Sequence, residues 1–501
     1  MLLALDIERV EPLADGAPFG EAGAYERVIA TARGEVDPAH PGNKGIALID
    51  KAPRNAAGKV EYKTDVFILR PRDPGLGNGR ILYEVNNRGR KMLFGNIADG
   101  PQGVNDPKTL GDLGNAFPLK RGYTIVWSGW DPDAPRANMG LALTAPIATK
   151  DGQADGPAIV QRVREEWASG TRLGVLESFK LSYEAASLEQ NLARLTVRER
   201  ADDEPRELPL NQWSFVDGRS IRLREGTPVQ PGYLYEFHYD AKKPKVQGLG
   251  FAATRDLISW LRHDPAAPQA TGRPITHTLA IGFSQAGRYL RNHISDGFNR
   301  DEQGRRVFDG ILSHIAGVGR VFFNTPFAQP ARTNTQHEDH GFPENEFPFS
   351  TATLDDPLTG KTGALFRGDG GDPLLIETNT STEYWQKGAS LLHTDPLGTR
   401  DIDLPANSRV YMIAGTQHGG RAGATTDPGP NLNPRNPHNP MPAVRALLVA
   451  LDGWVVSGAA PPSSRVPTLA AGTLVEADKT GFPTVPGAAV VRVTNVVAPP
   501  G

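Results

Sequence analysis

The spacing of apolar residues changes at Ser284, and this change marks the central element of the chain. Residues 277–283 (HTLAIGF) form a short apolar run that is typical of a buried strand. Beyond Ser284 the apolar residues Leu290, Ile294 and Phe298 recur every four positions, which predicts a helix. The pattern therefore predicts a strand that turns sharply into a helix, with a serine at the turn.

Near-continuous apolar runs predict further strands on both sides of this turn. Runs of this kind are typical of central strands that are covered on both faces. Two amphipathic stretches, 250–262 and 444–456, predict helices. Strands that alternate with helices indicate an α/β fold with a mostly parallel central sheet flanked by helices. The predicted strands are 62–70, 80–85, 122–129, 308–316, 373–379 and 408–415.

Residues 132–244 have a different pattern, in which apolar and polar residues alternate. The pair Asp217-Gly218 lies between two alternating runs and indicates a hairpin. We therefore predict a β-rich insertion here, and we expect it to act as a cap that folds over or beside Ser284. The alternative is a small sheet that only packs on the outside of the core. The predicted domains are an N-terminal β-rich extension packed on the core (1–75), an α/β core (76–131 and 245–501) and this insertion (132–244).

Composition excludes several classes of function. A chain of 501 residues is long enough to bury a large core in one or two domains. The net charge of −3 gives no basic face for nucleic acid. The absence of cysteine excludes disulfides, thiolate metal sites and cysteine nucleophiles.

The N-terminus bears on location. It begins MLLALDIERVEP, which lacks a basic leader region and reaches Asp6 and Glu8 at once. The sequence as written predicts a cytoplasmic protein, with a secreted or periplasmic location as the alternative if a signal peptide has been removed. No apolar run is long enough to predict a membrane span.

Ser284 is a candidate nucleophile because of its place at the turn. A serine on a sharp strand-to-helix turn, flanked by small residues, is the layout of a nucleophile elbow. Gly282 and Gly287 supply small residues, while Ala286 stands where glycine is usual. The backbone N–H of Gln285 begins the helix and would face a negative charge developing beside Ser284. The alternative is a simple turn that happens to contain serine.

A serine nucleophile needs a base and an acid. In proteins with a nucleophile elbow, the acid and then the histidine follow the serine along the chain. His418 lies in the glycine-flanked run GTQHGG, directly after the last predicted strand. Glu383 is the first carboxylate after the preceding strand, and Asp395 is the second. We favour Glu383 as the acid. The alternatives are Asp395, or a Glu383 that only caps the helix that follows.

The loop after the strand at 80–85 is expected to complete an oxyanion hole with Gln285. We favour the backbone N–H of Arg88 as the second donor, with Asn87 next, and we place Asn87 beside the substrate. The Arg88 guanidinium would contact an acidic substrate group or pair internally with a carboxylate. Three tryptophans near the predicted strand ends are expected to line the substrate pocket: Trp127, Trp130 and Trp385.

The sequence signal for a metal site is weak. The run His337-Glu338-Asp339-His340 offers two imidazoles and two carboxylates. Gly341 and Pro343 follow at once, so these residues lie on a loop and lack the shared helix face that such a motif requires. We interpret the run as a solvated polar loop and predict neither a metal nor a cofactor.

Seven short motifs are spread along nearly the whole chain: PFG at 18–20, GAYE at 23–26, NNRG at 86–89, WSGW at 127–130, GLGFAA at 248–253, GFSQ at 282–285 and GTQHG at 415–419. They resemble those of the α/β-hydrolase superfamily, and more narrowly those of a bacterial group described as "alpha/beta hydrolase domain" proteins. The resemblance implies an α/β-hydrolase fold, with Ser284 as nucleophile and His418 as base. From the serine, the histidine and the acid together we expect a serine esterase that cleaves a carboxylic ester of a small molecule. An amidase, an acyltransferase or a non-catalytic binding protein on the same fold are the alternatives.

Overall fold

The structure is a computed structural model, and its N-terminal part is built from long antiparallel strands. It describes residues 1–168, 178–200, 203–225, 227, 232–331, 344–420, 423, 433–491 and 494. The first elements are β1 (Leu2–Pro12), β2 (Tyr25–Val36), β3 (Val60–Pro71), β4 (Arg80–Glu84), α1 (Leu93–Ile97), α2 (Phe117–Lys120), β5 (Thr124–Ser128) and β6 (Leu143–Thr144).

The alternating stretch at 132–244 forms antiparallel sheets, as its pattern predicts. One sheet has the strand order β11-β10-β14-β7, with β9 on β14, and a second has the order β12-β13-β8. Asp217-Gly218 lies at the turn between β12 and β13, so the predicted hairpin is confirmed. The strands are β7 (Val160–Ala168), β8 (Ser178–Lys180), β9 (Glu184–Ala185), β10 (Arg194–Arg198), β11 (Arg206–Glu207), β12 (Trp213–Asp217), β13 (Ser220–Leu223) and β14 (Leu234–Lys242).

The C-terminal half alternates strands and helices, and each predicted strand and helix here overlaps an observed one. The elements are α3 (Leu249–His263), α4 (Pro268–Thr271), β15 (His277–Phe283), α5 (Gln285–Ser295), β16 (Gly310–His314), β17 (Leu354–Asp356), β18 (Lys361–Gly363), β19 (Leu374–Thr380), α6 (Ser381–Gln386), β20 (Ser408–Ile413) and α7 (Met441–Ser457).

One ten-stranded sheet joins the two halves, in the order β1-β2-β3-β5-β4-β15-β16-β19-β20 with β6 on β3. The pairings from β5 through β4, β15, β16 and β19 to β20 are parallel. Those among β1, β2, β3, β5 and β6 are antiparallel. The sheet is therefore mixed, and the prediction of a mostly parallel sheet is not confirmed. Strands β1 to β3 continue the sheet directly, because β3 bonds to β5.

Both faces of the sheet are covered, which explains the near-continuous apolar runs. On one face Phe251 and Leu257 of α3 pack with Tyr289 of α5. On the other face Leu448 and Trp454 of α7 pack against the strands. Helix α5 is shorter than its apolar spacing predicts, since it ends at Ser295 and Gly297 follows with φ +84°. Phe298 is still buried, although it lies beyond the helix.

Candidate active site

Ser284 occupies a strained turn between β15 and α5. Its backbone has φ +58° and ψ −117°, a conformation that residues other than glycine rarely adopt. The Ser284 N–H donates to the carbonyl of His314 on the neighbouring strand at 2.9 Å, which anchors the turn. The strand and helix on each side thus fix the serine at the C-terminal edge of the parallel strands, where α/β sheets bind ligands.

Two glycines allow the helix to lie this close to the sheet. A Cβ atom at Gly282 would lie 2.4 Å from the carbonyl oxygen of Ala286. A Cβ atom at Gly287 would lie 2.9 Å from Ser313 Oγ and 3.1 Å from the carbonyl oxygen of His314. The requirement for glycine falls on position 287, so alanine at position 286 does not disturb the turn.

The three residues predicted as nucleophile, base and acid lie in one hydrogen-bonded line. His418 Nε2 is 2.9 Å from Ser284 Oγ. His418 Nδ1 is 2.6 Å from Glu383 Oε1. The Glu383 side chain is fully buried, whereas the His418 side chain is 31% exposed. An imidazole held this way has one nitrogen oriented by a carboxylate and the other directed at a hydroxyl.

Glu383 is placed for both roles that the sequence left as alternatives. Its Oε1 meets His418, and its Oε2 accepts the backbone N–H of Thr380 at 2.8 Å and the Thr380 hydroxyl at 2.5 Å, forming a capping box on α6. Burial raises the pKa of this carboxyl, but the bonds from His418 and Thr380 outweigh burial, and the pKa lies below its usual value. Glu383 is therefore ionised at neutral pH.

Asp395, the alternative acid, lies elsewhere. Its carboxylate accepts the N–H groups of Thr399 and Arg400, at 2.6 and 3.0 Å, and the Thr399 hydroxyl at 2.8 Å. These bonds close a local turn, and none of them reaches His418. The geometry supports Glu383 as the acid.

A second histidine, which sequence reasoning missed, lies next to this line. His314 is buried at the end of β16, with Nδ1 2.8 Å from the hydroxyl of Thr378. Burial lowers its pKa to about 4, and Glu383 and His418 both influence that pKa. The ring is therefore neutral at neutral pH. The sequence signal for His314 was its position at the end of a predicted strand. That signal is ambiguous, because Ser313 lies at the same strand end.

The N-terminus of α5 supplies one predicted oxyanion donor. Gln285 is the first residue of the helix, so its N–H has no carbonyl partner within the helix. The Gln285 side chain is buried and donates to the carbonyl of Pro330. This arrangement supports Gln285 as a donor through its backbone.

The second predicted donor is not in position. The Arg88 N–H donates to the carbonyl of Asn86 at 3.0 Å, and the Asn87 N–H donates to the carbonyl of Arg90 at 2.8 Å. The Arg88 guanidinium is bonded at 2.6 Å to the buried carboxylate of Asp131. Both backbone N–H groups are already bonded within the loop after β4, so the structure supports neither as the oxyanion donor. For the Arg88 guanidinium, the structure shows the internal ion pair.

The placement of Trp127 and Trp130 contradicts the prediction that they line a pocket. Both side chains are completely buried. The Trp127 indole donates to the carboxylate of Glu84, and the Trp130 indole donates to the carbonyl of Asn86 at 2.8 Å. Trp130 packs in one apolar layer of the core and Trp127 in the other. Trp385 is half-buried on α6, and its substrate role stays a prediction.

Trp130→Ala should therefore lower stability without changing substrate preference. The Trp130 ring lies 4.9 Å from the rings of both Tyr289 and Phe323, and deleting a buried tryptophan typically costs about 3–5 kcal/mol. Thermal unfolding would show a lower Tm, and a panel of esters would keep its ranking. Trp130→Phe, which keeps most of the packing, is the control. A changed ranking at an unchanged Tm would restore the pocket role.

The insertion reaches the elbow through an intermediate loop. Tyr183 of the insertion packs against Phe327 with ring centroids 5.0 Å apart and donates to the carbonyl of Ala328. Gln329 Nε2 donates to the carbonyl of Arg164 on β7 at 2.8 Å. Pro330, the next residue, accepts from Gln285. The insertion thus packs beside the elbow, and its role as a cap stays a prediction.

Neither a metal cluster nor a membrane helix is found in the part of the chain that the structure describes. No group of three or more His, Asp or Glu residues there is arranged to hold a metal ion. The run His337–His340 lies outside the described residues. Among the described helices, none combines the length and apolar character that crossing a bilayer needs.

Comparison with known proteins identifies a family. A family model described as an alpha/beta hydrolase domain matches residues 219–484, slightly more than half of the chain. The matched region contains Ser284, Glu383 and His418. A search of curated proteins finds no match.

Proposed function

The chain belongs to the alpha/beta hydrolase domain family, and from this premise we propose that it is a serine hydrolase that cleaves a small carboxylic ester. Ser284 is the nucleophile, His418 the general base and Glu383 the acid that orients the base. The observation that carries the proposal is the unbroken line from Glu383 Oε1 through His418 to Ser284 Oγ.

The proposed reaction has two steps. In the first, His418 Nε2 takes the Ser284 proton while Oγ attacks the ester carbonyl, and the protonated imidazole then gives that proton to the leaving alcohol. In the second, His418 removes a proton from water while the water oxygen attacks the acyl-enzyme carbonyl, and the protonated imidazole then returns that proton to Ser284 Oγ as the carboxylic acid leaves. The ionised Glu383 stabilises the imidazolium in both steps. The Gln285 N–H is placed to stabilise the oxyanion.

A panel of p-nitrophenyl esters of increasing acyl length, followed by natural esters and the matching amides, tests the ester assignment. We expect hydrolysis of at least the short esters, and we expect the amides to react far more slowly. A protein that cleaves the amides faster than the esters would contradict the ester assignment while leaving the serine mechanism in place.

Activity should be independent of metal ions. The proposed line needs only side chains and backbone N–H groups, so dialysis against EDTA should leave the rate of ester hydrolysis unchanged. The sequence His337–His340 is the reason to make this measurement. A loss of activity that added Zn²⁺ or Ca²⁺ restores would contradict the proposed mechanism.

A further inference from the structure

Three consecutive hydroxyl residues at the start of α6 connect the proposed acid to the loop that carries the proposed base. Thr380 binds Glu383 Oε2 through both its N–H and its hydroxyl. Ser381 Oγ accepts the N–H of Gly415 at 3.1 Å. Thr382 Oγ1 accepts the N–H of His418 at 3.0 Å. One short segment therefore contacts both partners of the Glu383–His418 pair.

We propose that Thr380, Ser381 and Thr382 are positioning residues, which hold the Glu383 carboxylate and the His418 backbone in the geometry that directs Nε2 at Ser284. This inference deepens the proposed function and rests on it. The three hydroxyls do not touch the reacting atoms; they act through Glu383 and His418.

Thr380 fixes which carboxylate oxygen faces the histidine. Glu383 is completely buried, so water does not satisfy its second oxygen. The two donors of Thr380 occupy Oε2, and this leaves Oε1 as the oxygen that meets His418 Nδ1. Without the Thr380 hydroxyl, the carboxylate keeps a single donor on Oε2 and gains freedom to rotate.

Thr382 and Ser381 hold the loop that carries His418, whose flanking glycines give its backbone conformational freedom. Gly415 and Gly419 flank His418, and both have positive φ values, +74° and +66°. The loop is anchored to α6 at Gly415, at His418 and through the Ser381 N–H, which donates to the carbonyl of Thr416 at 3.2 Å. Because the rate depends on accurate placement of the base, losing these bonds should slow the reaction.

The sequence carried a signal for part of this device. Thr380 and Glu383 have the spacing of a capping box, threonine followed three positions later by glutamate. The bond from His418 N–H to Thr382, which joins residues 36 positions apart, has no such local signal.

The test compares Thr380→Val and Thr382→Val with Thr380→Ser and Thr382→Ser. Valine keeps the shape of threonine but removes the hydroxyl, whereas serine keeps the hydroxyl. We expect each valine variant to lower kcat by about ten- to a hundredfold, the size of a small misplacement. KM should stay within about twofold because the substrate contacts are untouched, and each serine variant should restore most of kcat.

Thr351→Val is the matched control. Thr351 is buried, and its hydroxyl bonds to Ser408 Oγ at 3.1 Å, away from the Glu383–His418 pair. It should lose a comparable amount of stability and keep wild-type kcat. If Thr380→Val does not fold, Ser381→Ala supplies a milder version of the same measurement. It removes the hydroxyl that accepts the Gly415 N–H, so a lower kcat is expected.

Three results would overturn the inference: valine variants with wild-type kcat, serine variants that fail like the valine ones, or an equal loss in Thr351→Val. The failure of the proposed function looks different. In that case the wild-type protein hydrolyses no ester and its Ser284 does not react with a fluorophosphonate. The reactivity of Ser284 toward the fluorophosphonate, measured as a rate in every variant, reports the positioning independently of the ester chosen.

Discussion

Replacing Ser284 by alanine is expected to lower kcat for ester hydrolysis by at least about 10⁴-fold, because the attacking oxygen is lost. His418→Ala should cause a loss of similar size, since without the imidazole at 2.9 Å the serine hydroxyl keeps its proton. The double variant should be scarcely worse than either single variant, because residues that act as a unit do not contribute additively. Steady-state kinetics on the best ester measure all three.

Ser313→Ala is the control for this experiment. Ser313 is buried on β16 and pairs with Gly282 across the ladder, so it is a serine in the same part of the sheet with no place in the proposed line. It should keep wild-type kcat. Circular dichroism should show that all the variants are folded. Near-native turnover by Ser284→Ala would refute the mechanism.

Glu383→Gln is expected to lower kcat by about 10⁴-fold, comparable to the loss seen when an orienting aspartate becomes asparagine in a serine protease. The Thr380 N–H and hydroxyl both donate to Oε2, so they should select the oxygen of the new amide at that position. The amide NH₂ then faces His418 Nδ1. That forces the proton onto Nε2, the nitrogen that must accept the Ser284 proton.

Asp395→Asn provides the comparison for Glu383→Gln. Asp395 closes a turn with Thr399 and Arg400, so this variant should keep near-native kcat. The pKa of Glu383 lies below its usual value, so the carboxylate is charged at neutral pH. It loses this charge only when the pH falls through that lowered pKa. A crippled Asp395→Asn beside an active Glu383→Gln would assign the acid role to Asp395.

The elements that were predicted correctly, and the site residues that the structure brings together, depend on local patterns. The switch from an apolar strand to four-residue spacing at Ser284 placed the elbow, and the doubly covered strands appeared as continuous apolar runs. The order serine, acid, histidine and the position of His418 after the last parallel strand suggested the remaining pair. Each of these signals lies within a few residues of the element it describes.

The predictions that the structure does not support depend on contacts between distant segments. Arg88 is held by Asp131, and Trp130 by Tyr289 and Phe323, and nothing near these residues in the sequence shows the partner. The mixed sheet has the same cause. The apolar runs indicate burial on two faces, but the direction in which β3 pairs with β5 is set by how the chain returns.

The reactivity of Ser284 toward a fluorophosphonate probe tests the central claim most directly, because the probe requires an activated serine but no particular ester. Wild-type protein, Ser284→Ala and His418→Ala are labelled, digested and mapped by mass spectrometry. We expect one phosphonylated peptide in the wild type, containing Ser284, none in Ser284→Ala and much slower labelling in His418→Ala. Labelling at a different residue, or a folded wild-type protein that is not labelled, would contradict it.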